Sequence, residues 1–183
     1  RYFDMTMDNL DVHLTDGRTY LTTTDRRYSV VAVDAYRLPY IPWHLTTVQF
    51  FRQVRNHLRE DGVVAINVGH TPDDWRLVDA MANTMAHVFP SVHVIDVPSS
   101  LNAIVVATVQ PTRSDNLLAN RAYLTHPILR HLTAQAADQR RPVGPSSVLF
   151  TDDRAPVEQL THALALRYIF NLPPPGHYRS GRK

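Results

Sequence analysis

The chain has 183 residues, 44% of them hydrophobic and 20% charged, with a formal net charge of +2 and no cysteine. That length supports one domain with a real core, and the composition excludes disulfides, thiolate metal sites and cysteine nucleophiles. The charge is too small to argue for nucleic acid or acidic lipid as a partner. No apolar run reaches the ~18 residues of a membrane helix, and residues 1–10 are polar and acidic, without a signal-peptide pattern.

In chain order, Leu10 to Leu14 alternates apolar and polar residues, which predicts a strand. Asp16-Gly17 is a turn signal, and Arg18 to Thr24 can form a short helical turn. Tyr28 to Val33 (YSVVAV) reads as a buried strand ending on Asp34. Leu38 to Pro42 holds two prolines and predicts an irregular loop. Thr46 or Thr47 caps a helix that runs to Leu58 and buries Phe50, Phe51 and Val54, with Asp61-Gly62 closing it. Val63 to Val68 is the next buried strand.

Thr71-Pro72-Asp73-Asp74 opens a helix to about Val88, with acids where the helix dipole favours them. Val92 to Val97 and Ala103 to Val109 read as strands that form an antiparallel edge. A helix broken near Pro127 follows from Ser114 to about Arg140, then a linker over 142–147 and a last helix from Pro156 to Tyr168. Residues 171–183 are Pro-rich and basic and predict a disordered tail. Val-rich strands alternating with helices predict an α/β domain with a mostly parallel sheet over residues 1–170.

In such a sheet, ligands bind at the carboxyl ends of the strands. Asp34 is therefore a candidate ligand or catalytic group, since an acid there must be used or paired. Tyr36, Tyr40 and Trp43 are candidates to line a pocket above it, or else to pack the loop on the helix that follows. Asp152 and Asp153 either reach the site or cap the last helix, and capping is the simpler reading. The histidines show no metal-binding spacing. His44 and His70 read as satisfied surface or loop histidines.

Together, VHLTDGRTYL, YSVVAVDAY, IPWHLTTVQFF, LREDGVVAINV, VFPSVHVI and LFTDDRAPVE, with RYF at Arg1, resemble the C-terminal two-thirds of a spermidine synthase-like protein. The resemblance runs to about Tyr168 and implies a Rossmann-like fold of the class I methyltransferase type. It implies aminopropyl transfer from decarboxylated S-adenosylmethionine (or chemistry on S-adenosylmethionine itself) to a small-molecule amine acceptor, without a metal. Asp16 and Gly17 match the family's adenine contact. Asp34 matches the first acid of its D-x-x-D motif, the base that helps deprotonate the attacking amine. The second acid is replaced by Arg37, which would repel a dicationic acceptor. Asn67 stands where the family has a Gln, and the P-T-Y-P-S-G loop is reduced to VPSSLN.

The family's glycine-rich loop and first strands would precede Arg1. The expectation is a fragment, or strands supplied by a partner. A homodimer is expected from the family alone. The implied location is cytoplasmic, or the soluble domain of a protein with membrane helices. The alternatives are a methyltransferase and a non-catalytic domain that keeps the fold.

Overall fold

The computed structural model describes residues 7–36 and 40–170. The expectations placed on RYF, on Arg37 and on the 171–183 tail lie outside the described residues.

The first element among the described residues is helix α1 (Gly17–Thr23), capped by Asp16, whose side chain accepts from the Thr19 N–H. Strand β1 (Tyr28–Val33) leads to α2 (Val48–Asn56) through a single 3₁₀ turn at Trp43–Leu45. Thr47 caps α2 by accepting from the Phe50 N–H, as its sequence predicts. Strand β2 (Leu58–Gly69) follows at once, so Asp61-Gly62 does not close a helix. Those residues lie in an excursion of β2: Tyr28 pairs with Leu58 but Val30 with Val63, which leaves extra residues on one side.

Next come α3 (Arg76–Ala86), β3 (Ser91–Asp96) and β4 (Asn102–Thr108), the last two joined by a turn in which Ser99 takes φ 61°. The remaining elements are α4 (Asn116–Asn120), a second 3₁₀ turn (Arg121–Tyr123), α5 (Pro127–Asp138), the two-residue β5 (Arg140–Arg141) and α6 (Val157–Ile169). Residues 10–14, expected as a strand, form none, having no ladder to join among the described residues.

The five strands form one sheet in the order β1-β2-β4-β3-β5. β1 and β2 are parallel, whereas β4 runs antiparallel to both β2 and β3. The expected α/β architecture is present, with its parallel part confined to β1/β2. The β3–β4 hairpin folds back so that β4, not β3, lies beside β2. β1 departs from expectation in burial. It stands at the sheet edge among the described residues, and Val30 is 60% exposed, so the Val-rich run is only partly covered.

The core lies between the sheet and α2, α3 and α6, with Phe51, Val54, Ile66, Val78, Met81, Val105 and Phe150 fully or almost fully buried. Phe150 belongs to an extended segment tied to two helices. Its N–H donates to Thr84 Oγ1 (3.1 Å), and its C=O accepts from the Val48 N–H (2.9 Å). Among the described residues no helix is long and apolar enough to cross a membrane.

Candidate active site

The parallel strand β1 ends beside β2, its last residue Val33 pairing with Ile66, while β2 runs on to Gly69. The next residue on each is polar: Asp34 and Asn67. Asn67 Nδ2 donates to Asp34 Oδ1 at 3.1 Å. Asp34 is exposed, so its carboxylate is open to solvent and to a ligand while Asn67 orients it. The other end of the Asn67 amide, Oδ1, is buried and has no hydrogen-bond partner among the described residues, where such an acceptor normally finds one. Two residues on, the Tyr36 hydroxyl donates to the Asn67 C=O (3.0 Å). Burial pushes the Tyr36 phenol up to about 12, with the nearby Asp34 charge adding to the effect.

Two hollows flank this group. One, of about 710 Å³, is lined by Asp34, Ala35, Gly17, Tyr20, the exposed side of β1 and the 9–15 segment. The other, of about 240 Å³, is walled by Tyr36, Gly69, His70, Leu101 and the inner face of α6 from Thr161 to Ile169. The larger hollow has the volume of a cofactor or nucleoside site.

Asp16 sits at the rim as the α1 cap rather than in the lining of the larger hollow. Its Oδ1 accepts from the Thr19 N–H (2.9 Å), and its Oδ2 from His44 Nε2–H (2.8 Å). These donors, Thr19 first, hold its carboxyl below the usual carboxylate range. Gly17, whose Cβ position is empty to 4 Å, does line the hollow and leaves room for a flat ring.

Of the aromatic candidates, Tyr36 lines the smaller hollow. Tyr40 hydrogen-bonds His162 of α6, and Trp43 is 45% exposed, its ring edge-on to His44.

Asp152 lines neither hollow and does not cap α6, whose first turn has no side-chain cap. It is a clamp. Arg18 grips it with two hydrogen bonds (2.9 and 2.7 Å), Thr47 Oγ1 donates to it (2.7 Å), and its own N–H donates to Gln49 Oε1. Asp153 is exposed on the same turn. The Arg18 guanidinium, then the Thr47 hydroxyl, hold the Asp152 carboxyl below its ordinary value, against the effect of its partial burial. A depressed folded-state pKa gives stability that is full above the unfolded pKa and is lost as pH falls through the folded one. Asp152→Asn should therefore destabilise the fold by about 1–2 kcal/mol near neutral pH. That is the low end for charge-assisted hydrogen bonds, because the site is partly solvated. In urea denaturation the difference from the parent protein should shrink as pH drops below about 4. A difference that is constant with pH would show that the pair is not what acts.

His70, read from sequence as a loop histidine, is buried. Its Nε2 lies 3.1 Å from Asp96 Oδ1 and its Nδ1 3.0 Å from the Thr71 C=O. Its ring stacks on Trp75 (3.7 Å, 22°), and the Arg141 guanidinium covers Trp75 at 3.9 Å. Sequence spacing gives no signal for this stack, because its members come from β2, the start of α3 and β5. Among the described residues no group of three or more His, Cys, Asp or Glu side chains is placed to hold a metal ion.

Comparison with known proteins bears on the family and the fold. The spermine/spermidine synthase domain family matches residues 3–119. A probable polyamine aminopropyl transferase from Bifidobacterium longum is 30% identical over 182 residues, covering 89% of this chain and 41% of that protein. A polyamine aminopropyltransferase from Vibrio vulnificus is 26% identical over 118 residues, covering 62% of this chain and 38% of its own length. The chain thus spans about two fifths of the curated relatives it matches. Among solved structures, human methyltransferase-like protein 13, crystallised with SAH, superposes with a TM-score of 0.50 at 22% identity, covering 80% of this chain and 67% of that one. That likeness identifies the fold as methyltransferase-like. With the family match spanning more than half of the chain and β1 to β4 of the sheet, the chain belongs to the spermine/spermidine synthase domain family.

Proposed function

We propose that the chain carries residues of an aminopropyl-transfer site, acting on decarboxylated S-adenosylmethionine and an amine. The observation that supports this most is the Asp34–Asn67 pair, an open carboxylate fixed at the end of β1 beside a nucleoside-sized hollow. In this reading the donor occupies the larger hollow. Its ring lies by Gly17, and Asp16 accepts from the adenine amine with lone pairs that Thr19 and His44 leave open. The donor's sulfonium lies near Asp34, where opposite charge favours it.

An amine is protonated at neutral pH and cannot attack until it loses a proton. Asp34 takes that proton. The freed nitrogen lone pair attacks the propyl carbon bonded to sulfur, the new C–N bond forms as the C–S bond breaks, and the bond pair leaves with sulfur as methylthioadenosine. Asn67 holds the carboxylate in place through Nδ2. Asp34 is thus the general base of the step.

Incubating the native gene product with the decarboxylated donor and an amine should release methylthioadenosine in step with an N-aminopropyl product. Methyl transfer, with S-adenosylmethionine as the accepted donor, would refute the reading.

A further inference from the structure

Three motifs of the sequence, DGR at 16–18, IPWHLTT at 41–47 and TDDR at 151–154, meet at one place in the fold. Arg18 is the hub. Its Nη1 and Nη2 grip the two oxygens of Asp152 (2.9 and 2.7 Å), Nη1 also donates to the His44 C=O (3.2 Å), and Nε donates to Gln53 Oε1 (3.1 Å). A guanidinium presents its donors in a fixed planar fork, so the grip sets direction as well as distance. The TDDR turn is itself closed by two backbone hydrogen bonds between Thr151 and Arg154 (2.9 and 3.0 Å). Thr47, the α2 cap, donates to Asp152 from the other side. The His44 backbone is thereby tied to α1, to α2 and to the 151–154 turn. From that anchored backbone the His44 ring reaches Asp16, and Nε2–H donates to Oδ2 at 2.8 Å.

Thr15 and Gly17, on either side of Asp16, line the larger hollow, and so does Leu45, next to His44. The His44 and Asp16 side chains are 33% and 44% exposed, and a pair that open to solvent adds little to stability. What it adds is direction. With the Thr19 N–H on Oδ1 and His44 on Oδ2, both ends of the carboxylate are pinned, and each oxygen keeps one lone pair for a ligand. We propose that Arg18, His44 and Asp152 are positioning residues, a brace that holds the Asp16 carboxylate at the rim of the larger hollow so that it selects a ligand presenting an N–H there over one presenting an oxygen. The ligand class is a 6-aminopurine nucleoside. A 6-oxopurine in the same pose would set its oxygen against a carboxylate with no proton between them. This rests on the aminopropyl-transfer reading for the adenine nucleoside in that hollow, and adds how the chain recognises it. A site group selects only while the residues behind it keep its geometry, so the brace acts on discrimination and not on folding alone.

The test is calorimetric titration of the native protein with methylthioadenosine and with methylthioinosine, which carries an oxygen in place of the amine. The parent should bind methylthioadenosine about tenfold or more tightly, a hydrogen bond made against one refused. His44→Ala removes the donor to Asp16 and should cut that ratio about threefold or more, while His44→Gln, whose amide N–H reaches a similar position, should keep it within about twofold. Asp152→Asn should lower the ratio in the same direction. Added to His44→Ala it should lower the ratio by less than about twofold more, since both act through one carboxylate. A merely structural role would weaken both nucleosides alike and leave the ratio unmoved. A parent that does not discriminate overturns the proposal. So does a His44→Ala variant that is folded by circular dichroism and keeps the parent's ratio. Binding of neither nucleoside overturns the brace and the nucleoside site together. A parallel product assay separates the two layers. Aminopropyl transfer with a ratio unmoved in His44→Ala refutes the brace and leaves the transferase reading intact. Methyl transfer with a ratio lost in His44→Ala refutes the transferase reading and upholds the brace.

Discussion

Asp34→Asn should lower the turnover of aminopropyl transfer by about 10²- to 10⁴-fold, the range for removal of a positioned general base. The substitution is close to isosteric, and Asn67 Nδ2 can still donate to the new amide oxygen, so the end of β1 keeps its geometry. What disappears is the capacity to accept a proton and the negative charge beside the donor's sulfonium. The loss should fall on kcat more than on the affinity for methylthioadenosine, which is neutral. Raising the pH should partly rescue the variant, because more of the amine then arrives already deprotonated. A variant within threefold of the parent at neutral pH would remove Asp34 from the chemistry. The Asn67→Ala variant offers a graded comparison. It frees Asp34 from its partner and should cost less than the loss of the carboxylate itself.

The second large effect is structural. Phe150→Ala should destabilise the protein by about 3–5 kcal/mol, the cost of removing a fully buried aromatic side chain. Phe150 is fully buried, and its backbone is held on one side by Thr84 of α3 and on the other by the first turn of α2. Asn83 Nδ2 also donates to the C=O of Val148 in the same segment (2.9 Å). The segment cannot easily slide to refill the space, so a cavity remains. Val30→Ala on β1 is the control: that side chain is 60% exposed, and the change should stay within about 0.5 kcal/mol. Urea denaturation of both variants measures this. A loss of less than 1 kcal/mol at Phe150 would mean that the 148–151 segment does not anchor the core.

Much of the fold was legible in the sequence because its signals are local. The Val-rich runs at 28–33 and 63–68 are strands, Thr47 is the α2 cap, and Pro127 starts α5. Asp34 could be singled out because an acid directly after an apolar strand must have a use. Other features depend on partners far away in the chain, and local patterns do not carry them. The insertion of β4 between β2 and β3 is one such feature. Asp152 is another: a two-acid turn before a helix reads as a cap, and only the fold brings Arg18, 134 residues away, to grip it. His70, Trp75 and Arg141 stack across three elements. The smaller hollow went unforeseen for the same reason, since its walls come from β2, the β3–β4 turn and α6. β1 erred in the other direction. Its composition reads as buried, yet burial needs neighbours on both sides, and the described residues supply one.

The most direct test of the central claim is calorimetric titration of the protein with methylthioadenosine and, separately, with S-adenosylhomocysteine. The two differ by the amino-acid arm that only the second carries. An aminopropyl-transfer site should bind methylthioadenosine at least tenfold more tightly, and Asp34→Asn should leave that binding within a few fold. Preference for S-adenosylhomocysteine would contradict the account and assign the site to methyl transfer.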